Sequence, residues 1–438
     1  MAQIRPLRAL RYDPARVGDL GAVLSPPYDV LSRADEEKLR ARHERNFVRL
    51  ILPREADGRD RYSTAAETLA RWRGDGTLRR DAEPAFYYYE QEYRLGKGAP
   101  IRRRGIFALV RLHEFSERVV LPHEQTLPAP REDRYRLLEA TRAHFDPVFG
   151  LYSDPERRID GLFEQAASRP PIASAVDGDG VGHRLWIARD PAELSSISSA
   201  LETRWVLIAD GHHRYESALR YARSQPVGGG AGRAFDQVLM VLCNIEASGL
   251  TVLPIHRLVH SSDRFRPEEW LGALERWFER REIELADDKD RAAQKIEEAL
   301  APHRETGGAF VAACGGDKAQ LLCLRPGFDP VRELGEGVPA ELHRLDVTLV
   351  HSLALERALG MTPEEQALQK RLRYGKSTAG ALREVASGEA QAALLLNATP
   401  IEAVVQVTRA GVRLPPKSTF FHPKLISGLV IHPFDDAG

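Results

Sequence analysis

The run Asp-Gly-His-His-Arg at positions 210–214 concentrates anion-binding groups in one short stretch of the chain. It follows an apolar segment, 205–209, that predicts a buried strand, and precedes a segment, 215–222, with helical apolar spacing. A helix that begins directly after a strand points its first N–H groups and the positive end of its dipole outward. We therefore predict a phosphate site here, which we call the 210–214 junction. The alternative is that the aspartate caps the helix and the histidines decorate a surface turn.

Each residue of the junction has a chemical reason to be there. Gly211 lets a ligand approach the backbone closely, and Arg214 offers a planar, bidentate donor for phosphate. The imidazoles of His212 and His213 offer donors or a proton carrier. Asp210 completes the predicted set. Two adjacent histidines diverge too far to chelate one metal ion well, so the metal requirement stays open.

His123 and Glu124 form a second candidate pair, after a short strand expected at 119–121. A carboxylate beside an imidazole at a strand end can act as a general base towards a hydroxyl or as a Mg²⁺ ligand. Position 127 is leucine, so the pair is not part of an H-E-x-x-H zinc-protease motif. The alternative is a surface loop with a solvated glutamate. With His213, these two residues are the catalytic candidates.

A third candidate lies in the proline-bounded segment 415–424, which carries Lys417, Ser418, Thr419 and Lys424. Two lysines and two hydroxyls in a rigid segment can hold phosphate oxygens as point charges and donors. The residues alone favour a different interpretation, an edge strand with solvated lysines and a buried aromatic pair.

Several further residues are candidates for the wall of a substrate pocket. The dense prolines at 25–29 usually shape a turn, but they could also present Tyr28 and Asp29 to a ligand. Arg134 follows the second candidate pair, and His256 and Arg257 come just after a strand. By contrast, Gly-Lys-Ser-Thr at 375–378 lacks the earlier glycine of a P-loop, so its serine is expected to cap a helix.

The elements that must position these residues predict an α/β fold with mixed sheets. Helices are expected at 33–44 after the N-cap Ser32, at 62–74 and at about 133–144, with strands at 86–93, 104–110 and 238–243. After residue 260 the pattern predicts an amphipathic helix at 267–282, a strand, a charged helix at 292–301 and two strands containing Cys314 and Cys323. A final βαβαβ-like run ends near residue 432. The expected division is a core at 1–265, a small αβ lobe at 266–335 and a C-terminal αβ segment at 336–438.

Composition limits the kind of partner. The 438 residues include 62 Lys and Arg against 63 Asp and Glu, so a net charge of −1 gives no general attraction to nucleic acid or to an anionic membrane. Three cysteines without a C-x-x-C pair favour a reducing compartment. No stretch approaches the ~20 apolar residues of a membrane span, and the first residues lack a signal-peptide core. A cytoplasmic location is expected.

Four segments together resemble the domain-of-unknown-function 1015 family: 25–30, 123–126, 210–219 and 415–425. They span nearly the whole chain, and the match raises the weight of the candidates at 123–124 and 415–424. The element strand, D-G-H-x-R, helix is also similar to the phosphate motif of the ParB/sulfiredoxin-like superfamily, which includes free-serine kinases. That resemblance implies a nucleotide-binding core, nucleotide contacts at 211–214, and a base role for Glu124, since a glutamate before the motif is the base in the resembling kinases.

The function that follows is phosphotransfer to a small hydroxyl metabolite, with free serine as a candidate substrate. ATP or ADP is the expected nucleotide, Mg²⁺ is a candidate ion, and Lys417 and Lys424 would offset charge on the transferred group. One alternative is a nucleotide-sensing or DNA-associated regulator, which predicts a helix-turn-helix or basic stripe that the sequence does not clearly show. The other is phosphate-ester hydrolysis at the same site. The substrate, the nucleotide and the oligomeric state stay open.

Overall fold

The computed structural model describes residues 1–124, 128–226, 233–262 and 265–435. The chain forms two compact units. The first unit comprises Met1–Pro122, Thr126–Leu250 and Pro423–Gly438, and the second comprises His123–Gln125 and Thr251–His422. The division differs from the expected boundaries at 265 and 335, because strands from the expected lobe and from the expected C-terminal segment pair in one sheet of the second unit.

The strands of the first unit are β1 (Ile4–Arg5), β2 (Leu10–Tyr12), β3 (Leu78–Arg80), β4 (Phe86–Tyr93), β5 (Ile101–Arg111), β6 (Val120–Pro122), β7 (Ala143–His144), β8 (Val148–Tyr152), β9 (Ala173–Val176), β10 (Gly182–Ala188), β11 (Val206–Asp210) and β12 (Gln237–Asn244). The main sheet has the order β6-β11-β8-β12-β5-β4-β10-β9, with β1 beside β5. Only the pairs β6/β11 and β8/β12 are parallel among these described strands. The sheet is therefore mixed, as expected.

The helices of the first unit are α1 (Pro14–Val17), α2 (Leu20–Val23), α3 (Arg33–Arg42), α4 (Val48–Ile51), α5 (Arg61–Gly74), α6 (Pro128–Thr141), α7 (Arg158–Ala167), α8 (Pro191–Leu201) and α9 (His212–Ser224). Ser32 caps α3 in a reciprocal capping box with Asp35, which confirms the predicted start of that helix. The helix expected from about 133 begins at residue 128 instead, where a proline suits the first turn.

The strands of the second unit are β13 (Thr251–Leu253), β14 (His256–Val259), β15 (Phe278–Glu284), β16 (Ala309–Ala313), β17 (Lys318–Leu324), β18 (Leu372–Gly375), β19 (Ala392–Leu396) and β20 (Phe420–His422). Its helices are α10 (Pro267–Leu274), α11 (Lys289–Leu300), α12 (Pro330–Leu334), α13 (Asp346–Leu349), α14 (Pro363–Ala367), α15 (Thr378–Ala386) and α16 (Ile401–Arg409), and Val350–Arg357 is π-helical. Six strands form a sheet in the order β15-β17-β16-β19-β14-β18, and β13 pairs with β20. Strand β21 (His432–Pro433) belongs to the first unit and pairs with β7.

The single helix predicted at 267–282 is wrong. Helix α10 ends at Leu274, and strand β15 begins at Phe278. All seven residues of β15 pair with β17 in antiparallel register, from Phe278 opposite Leu324 to Glu284 opposite Lys318. The sheet partner lies some forty residues further along the chain, so local periodicity could not reveal that this segment is extended.

The buried core of the first unit surrounds the strand that leads to the 210–214 junction. Val206, Leu207 and Ile208 of β11 are fully buried, and every residue of β12 is buried. Such continuous apolar runs are typical of strands covered on both faces. No helix in the described part of the chain combines the length and apolar content that crossing a bilayer requires.

Candidate functional site

The 210–214 junction has the predicted strand, glycine and helix geometry. Strand β11 ends at Asp210, Gly211 adopts a left-handed conformation with φ of 93°, and α9 begins at His212. The N-cap residue of α9 is Gly211, which has no side chain with which to cap the helix. The register between β11 and β8 shifts between Ile208 and Asp210, an irregularity that re-aims side chains at the end of the strand.

Arg214 is held close to the glycine. A Cβ added to Gly211 would lie 2.9 Å from Cζ of Arg214, so any other residue here would require the guanidinium to shift. Nη2 of Arg214 donates to Oδ2 of Asp210 over 2.9 Å, and Nη1 donates to the carbonyl oxygen of Pro147. Asp210 is therefore an ion-pair partner rather than the cap of the helix.

A second cation, Lys424, meets the other oxygen of the same carboxylate. Nζ of Lys424 donates to Oδ1 of Asp210 over 2.8 Å. Burial alone would raise the pKa of Asp210, but Lys424 and Arg214 outweigh it and hold that pKa well below its usual range. The aspartate is ionised at neutral pH and fixes both cations in position.

More acidic groups lie near Arg214. Burial would lower the pKa of this guanidinium, but Asp210, Asp146 and Asp29 together raise it. Asp146 is buried, and its Oδ1 has no hydrogen-bond partner among the residues that the structure describes. Burial accordingly raises the pKa of Asp146. The carboxyl group of Asp146, near Arg214, is therefore easier to protonate than a solvent-exposed one.

The predicted pocket residues Tyr28, Asp29 and Arg134 lie in this same cluster. Cζ of Arg134 lies 4.0 Å from the ring centroid of Tyr28, and its Nη1 donates to the carbonyl oxygen of Ile51 over 2.9 Å. Burial, followed by the charge of Asp29, raises the pKa of Tyr28. Residues more than 180 positions apart in the sequence therefore surround one guanidinium, that of Arg214.

The two histidines of the junction differ in exposure. His212 is buried and contributes its charge to the lowered pKa of Asp210, whereas His213 is half-buried. No group of three or more His, Cys, Asp or Glu side chains is placed to hold a metal ion within the described ranges.

The remaining predicted site residues belong to the second unit. Oε1 of Glu124 accepts the backbone N–H of Lys417 over 2.6 Å, and Lys417 is left-handed with φ of 58°. Nε2 of His123 lies 2.8 Å from Oγ1 of Thr419, and Ser418 donates to the carbonyl oxygen of Pro415. His123 and Glu124 are thus bound to the segment 415–419, which the sequence had singled out separately.

Arg257 organises this second cluster. It is 1% exposed, its Nη2 donates to the carbonyl oxygen of Lys417 over 2.9 Å, and its Nε donates to Nε2 of His351 over 3.1 Å. Burial lowers the pKa of Arg257 to about 10, which leaves it protonated at neutral pH, and the charges of Tyr374 and Glu124 partly offset the loss.

His256 forms hydrogen bonds with both ring nitrogens inside the second unit. Its Nδ1 accepts the backbone N–H of Leu396, and its Nε2 lies 3.2 Å from Oγ1 of Thr378, which donates to Glu297. These bonds fit a neutral imidazole, and burial lowers the pKa of His256 to about 4. The structure places His256 and Arg257 with Glu124 in the second unit, and Tyr28, Asp29 and Arg134 with the 210–214 junction in the first.

Sequence reasoning missed three residues of these clusters: Asp146, His351 and Tyr374. The available signal for Asp146 was its position two residues before strand β8, in an Asp-Pro pair. His351 lies within a helical stretch and Tyr374 within a strand, where such residues are normally structural, so no local pattern distinguished them.

A family model described as "Protein of unknown function (DUF1015)" matches residues 4–348. No curated protein matches the chain. Among solved structures, a free serine kinase in complex with AMP is 15% identical, with 72% of this chain and 86% of that one covered and a TM-score of 0.35. SbnI from Staphylococcus aureus, truncated at its C-terminus, is 11% identical, with 76% and 90% covered and a TM-score of 0.36. A conserved hypothetical protein from Pyrococcus furiosus is 16% identical, with 73% and 92% covered and a TM-score of 0.34.

Proposed function

The chain belongs to the family of proteins of unknown function DUF1015, and on that premise we propose that it is a phosphotransferase that binds nucleotide phosphates at the 210–214 junction. The proposed acceptor is a small hydroxyl metabolite, with free serine as the first to be tested. The observation that carries the proposal is the pair of cations, Arg214 and Lys424, held on Asp210 at the N-terminus of α9.

Cations that are already fixed in position suit phosphate binding, because binding then costs little side-chain conformational entropy. The ion pairs of Asp210 use both oxygens of its carboxylate, so the three charged groups carry a net charge of +1. A guanidinium has five N–H donors, and two of those on Arg214 have partners among the described residues. The dipole of α9 adds positive potential at the same place.

Asp29 and Asp146 oppose an anion at this junction, and the proposal has to account for them. Burial raises the pKa of Asp146, so the ionised form of this carboxyl group is less favoured here than in water. Mg²⁺ is commonly held by one or two carboxylates, water and substrate phosphates rather than by a full protein cage. In this proposal, Asp29 and Asp146 are the first-unit residues that would hold a Mg²⁺ ion bound to the nucleotide.

The roles of the second-unit residues remain predictions. Glu124 is assigned the role of base or Mg²⁺ ligand, and Lys417, Ser418 and Thr419 that of phosphate contacts. Since Oε1 of Glu124 accepts the N–H of Lys417, the oxygen available for a proton is Oε2, which has no hydrogen-bond partner within the described residues. His123 and His213 are the proposed proton carriers.

The first experiment is a thermal-shift screen of the full chain with ATP, ADP, AMP and CTP, each with and without Mg²⁺, because ligands of the native state raise its melting temperature. Stabilisation by at least one nucleotide is expected. The protein is then incubated with ATP or ADP plus serine, and separately with phosphoserine alone. Formation of phosphoserine supports phosphotransfer. Release of phosphate from phosphoserine alone would instead identify the activity as phosphate-ester hydrolysis.

A pair of variants separates chemistry from binding. Glu124→Gln keeps an oxygen for the N–H of Lys417 but removes the charge, so nucleotide binding should persist while transfer falls at least a hundredfold. Glu402→Gln, at an exposed position of α16, is the matched control and should change neither. A wild-type rate of phosphate transfer in Glu124→Gln would show that Glu124 is not the base. If none of the nucleotides raises the melting temperature, the proposal itself is contradicted.

A further inference from the structure

A cavity of about 590 Å³ lies among α3, α4 and α5 in the first unit. Four arginines line it: Arg40, Arg49, Arg54 and Arg71. The same wall carries three acidic residues, Glu37, Asp57 and Glu67. Neither the sequence motifs nor the 210–214 junction involves any of these residues.

Two of the arginines are neutralised by nearby carboxylates. Arg54 pairs with Glu36 at 2.7 Å and with Glu37 at 2.6 Å, and Arg40 pairs with Glu36 at 2.7 Å. Glu67 pairs with Arg59, which does not line the cavity, at 2.9 Å. These contacts satisfy Arg40 and Arg54 and occupy two of the three carboxylates on the wall.

Arg49 and Arg71 have no carboxylate partner among the residues that the structure describes. Nη2 of Arg49 donates to the carbonyl oxygen of Arg40 over 3.1 Å, but its Nε is buried without an acceptor. Burial and the positive charges of Arg40, Arg54 and Arg71 lower the pKa of Arg49, and the charge of Glu44 offsets part of this effect. A partly desolvated guanidinium near three other cations and one carboxylate is stabilised when a further anion binds beside it.

We propose that this cavity binds a small anion that carries two phosphate groups. Two arginines without carboxylate partners, Arg49 and Arg71, supply the charge, and the planar guanidinium matches phosphate oxygens in a bidentate manner. The volume falls in the range of cavities that hold metabolite-sized ligands. The inference is independent of the 210–214 junction, since none of the cavity residues belongs to it.

The test is calorimetric titration of the full-length protein with inorganic pyrophosphate at low ionic strength. Arg49→Gln and Arg71→Gln should each weaken the cavity binding event at least tenfold. Asp57→Asn, which removes a negative charge from the wall, should strengthen it severalfold. Arg42→Gln, on the exposed surface of α3 and outside the cavity, is the matched control and should leave the affinity unchanged.

Pyrophosphate binding at the 210–214 junction would be distinguished by Arg214→Lys, which should leave the cavity event intact. Because Arg71 is exposed, Arg71→Gln is expected to fold even if Arg49→Gln does not, and melting curves of both variants check this. Absence of pyrophosphate binding, or equal affinity in the wild type and in a folded Arg71→Gln variant, would overturn the proposal.

Discussion

Lys424 and Asp210 form an ion pair of 2.8 Å although 214 positions separate them in the chain. The segment that follows β20 thus supplies a cation to the end of β11, beside the Arg214 of the neighbouring helix. The carbonyl oxygen of Lys424 also accepts a hydrogen bond from Gln91 of β4. Lys424 is consequently part of the first unit's charge cluster.

Lys424→Met should lower the free energy of unfolding by about 2–4 kcal/mol, because it leaves a largely desolvated carboxylate with one cation fewer while Arg214 still offsets part of the charge. The folded-state pKa of Asp210 is lowered, so the stability it contributes is present above its unfolded pKa near 4 and is lost as the pH falls below that value. Urea denaturation at several pH values measures the effect.

The difference between wild type and Lys424→Met should therefore be constant from pH 8 to about pH 5 and shrink below pH 4. Lys38→Met is the matched control, since Lys38 is 79% exposed and pairs with Asp35 at 3.8 Å on the surface. If both lysine variants lose the same small amount of stability, the Lys424–Asp210 pair does not contribute as described.

Gly211→Ala should do more than strain the backbone. The positive φ costs about 1 kcal/mol for a residue with a Cβ, and that atom would also displace the guanidinium of Arg214. Gly180→Ala isolates the first effect, since Gly180 has φ of 77° and nothing within 4 Å of an added Cβ. We expect thermal denaturation to show a clearly larger loss for Gly211→Ala, and equal losses would mean that Arg214 moves aside freely.

His351 should make the second unit sensitive to acid. Its Nε2 accepts from Arg257 and its Nδ1 lies 2.5 Å from the oxygen of Gln366, an arrangement that requires a neutral ring. Burial and Arg257 lower the folded-state pKa of His351 to about 3. The unfolded state binds the proton first, so stability is full above about pH 6.5 and falls as the pH drops towards 3.

His351→Gln should reduce the slope of stability against pH by about one proton between pH 4 and pH 6. His256, whose pKa is lowered to about 4, contributes a similar slope that the variant retains. Isothermal denaturation in buffers from pH 4 to pH 7.5 gives both slopes. An unchanged slope in His351→Gln would show that His351 is protonated in the folded protein.

Asp346→Asn should stabilise the protein at neutral pH. Oδ1 of Asp346 accepts the backbone N–H groups of Gly308 and Ala309, and an asparagine oxygen can do the same. Burial raises the pKa of Asp346 to about 7, so wild-type stability declines as the pH rises from about 4 to 7. The variant lacks this decline, and its free energy of unfolding above pH 7 should be about 1–3 kcal/mol higher because it avoids a partly desolvated charge.

The extra stability of Asp346→Asn should disappear below about pH 4, where Asp346 is protonated in both the folded and the unfolded protein. Asp346→Ala is the contrasting variant, because it leaves the two N–H groups without their acceptor and should destabilise at every pH. A loss of stability in Asp346→Asn at pH 8 would mean that the carboxylate charge itself is favourable.

Local patterns in the sequence predicted the parts of the fold that depend on neighbouring residues. The strand, glycine and helix at 206–224, the cap of α3 by Ser32 and that of α15 by Ser377 are decided within a few residues, and the structure confirms them. The extended segment at 278–284 depends on a distant partner strand, and there the prediction was wrong.

The candidate site shows the same limit. The sequence identified Asp210 and Lys424 separately but gave no means of pairing them. Helix capping by Asp210 was only the alternative interpretation, and the structure shows its carboxylate bound to two cations instead. It also named Arg257 as a candidate for the wall of a substrate pocket but could not reveal that Arg257 pairs with His351 and with the backbone of Lys417 in the second unit. Charge pairing over long sequence distances has no local periodicity from which it could be predicted.

The central claim is that Arg214 binds nucleotide phosphate, and titration calorimetry with ADP tests it most directly. Arg214→Lys keeps the charge beside Asp210 but loses the planar pair of donors, and Arg220→Lys on the exposed face of the same helix is the matched control. We predict that ADP affinity falls at least tenfold in Arg214→Lys and stays unchanged in Arg220→Lys. Equal ADP affinity in the wild type and in a folded Arg214→Lys variant would contradict the claim.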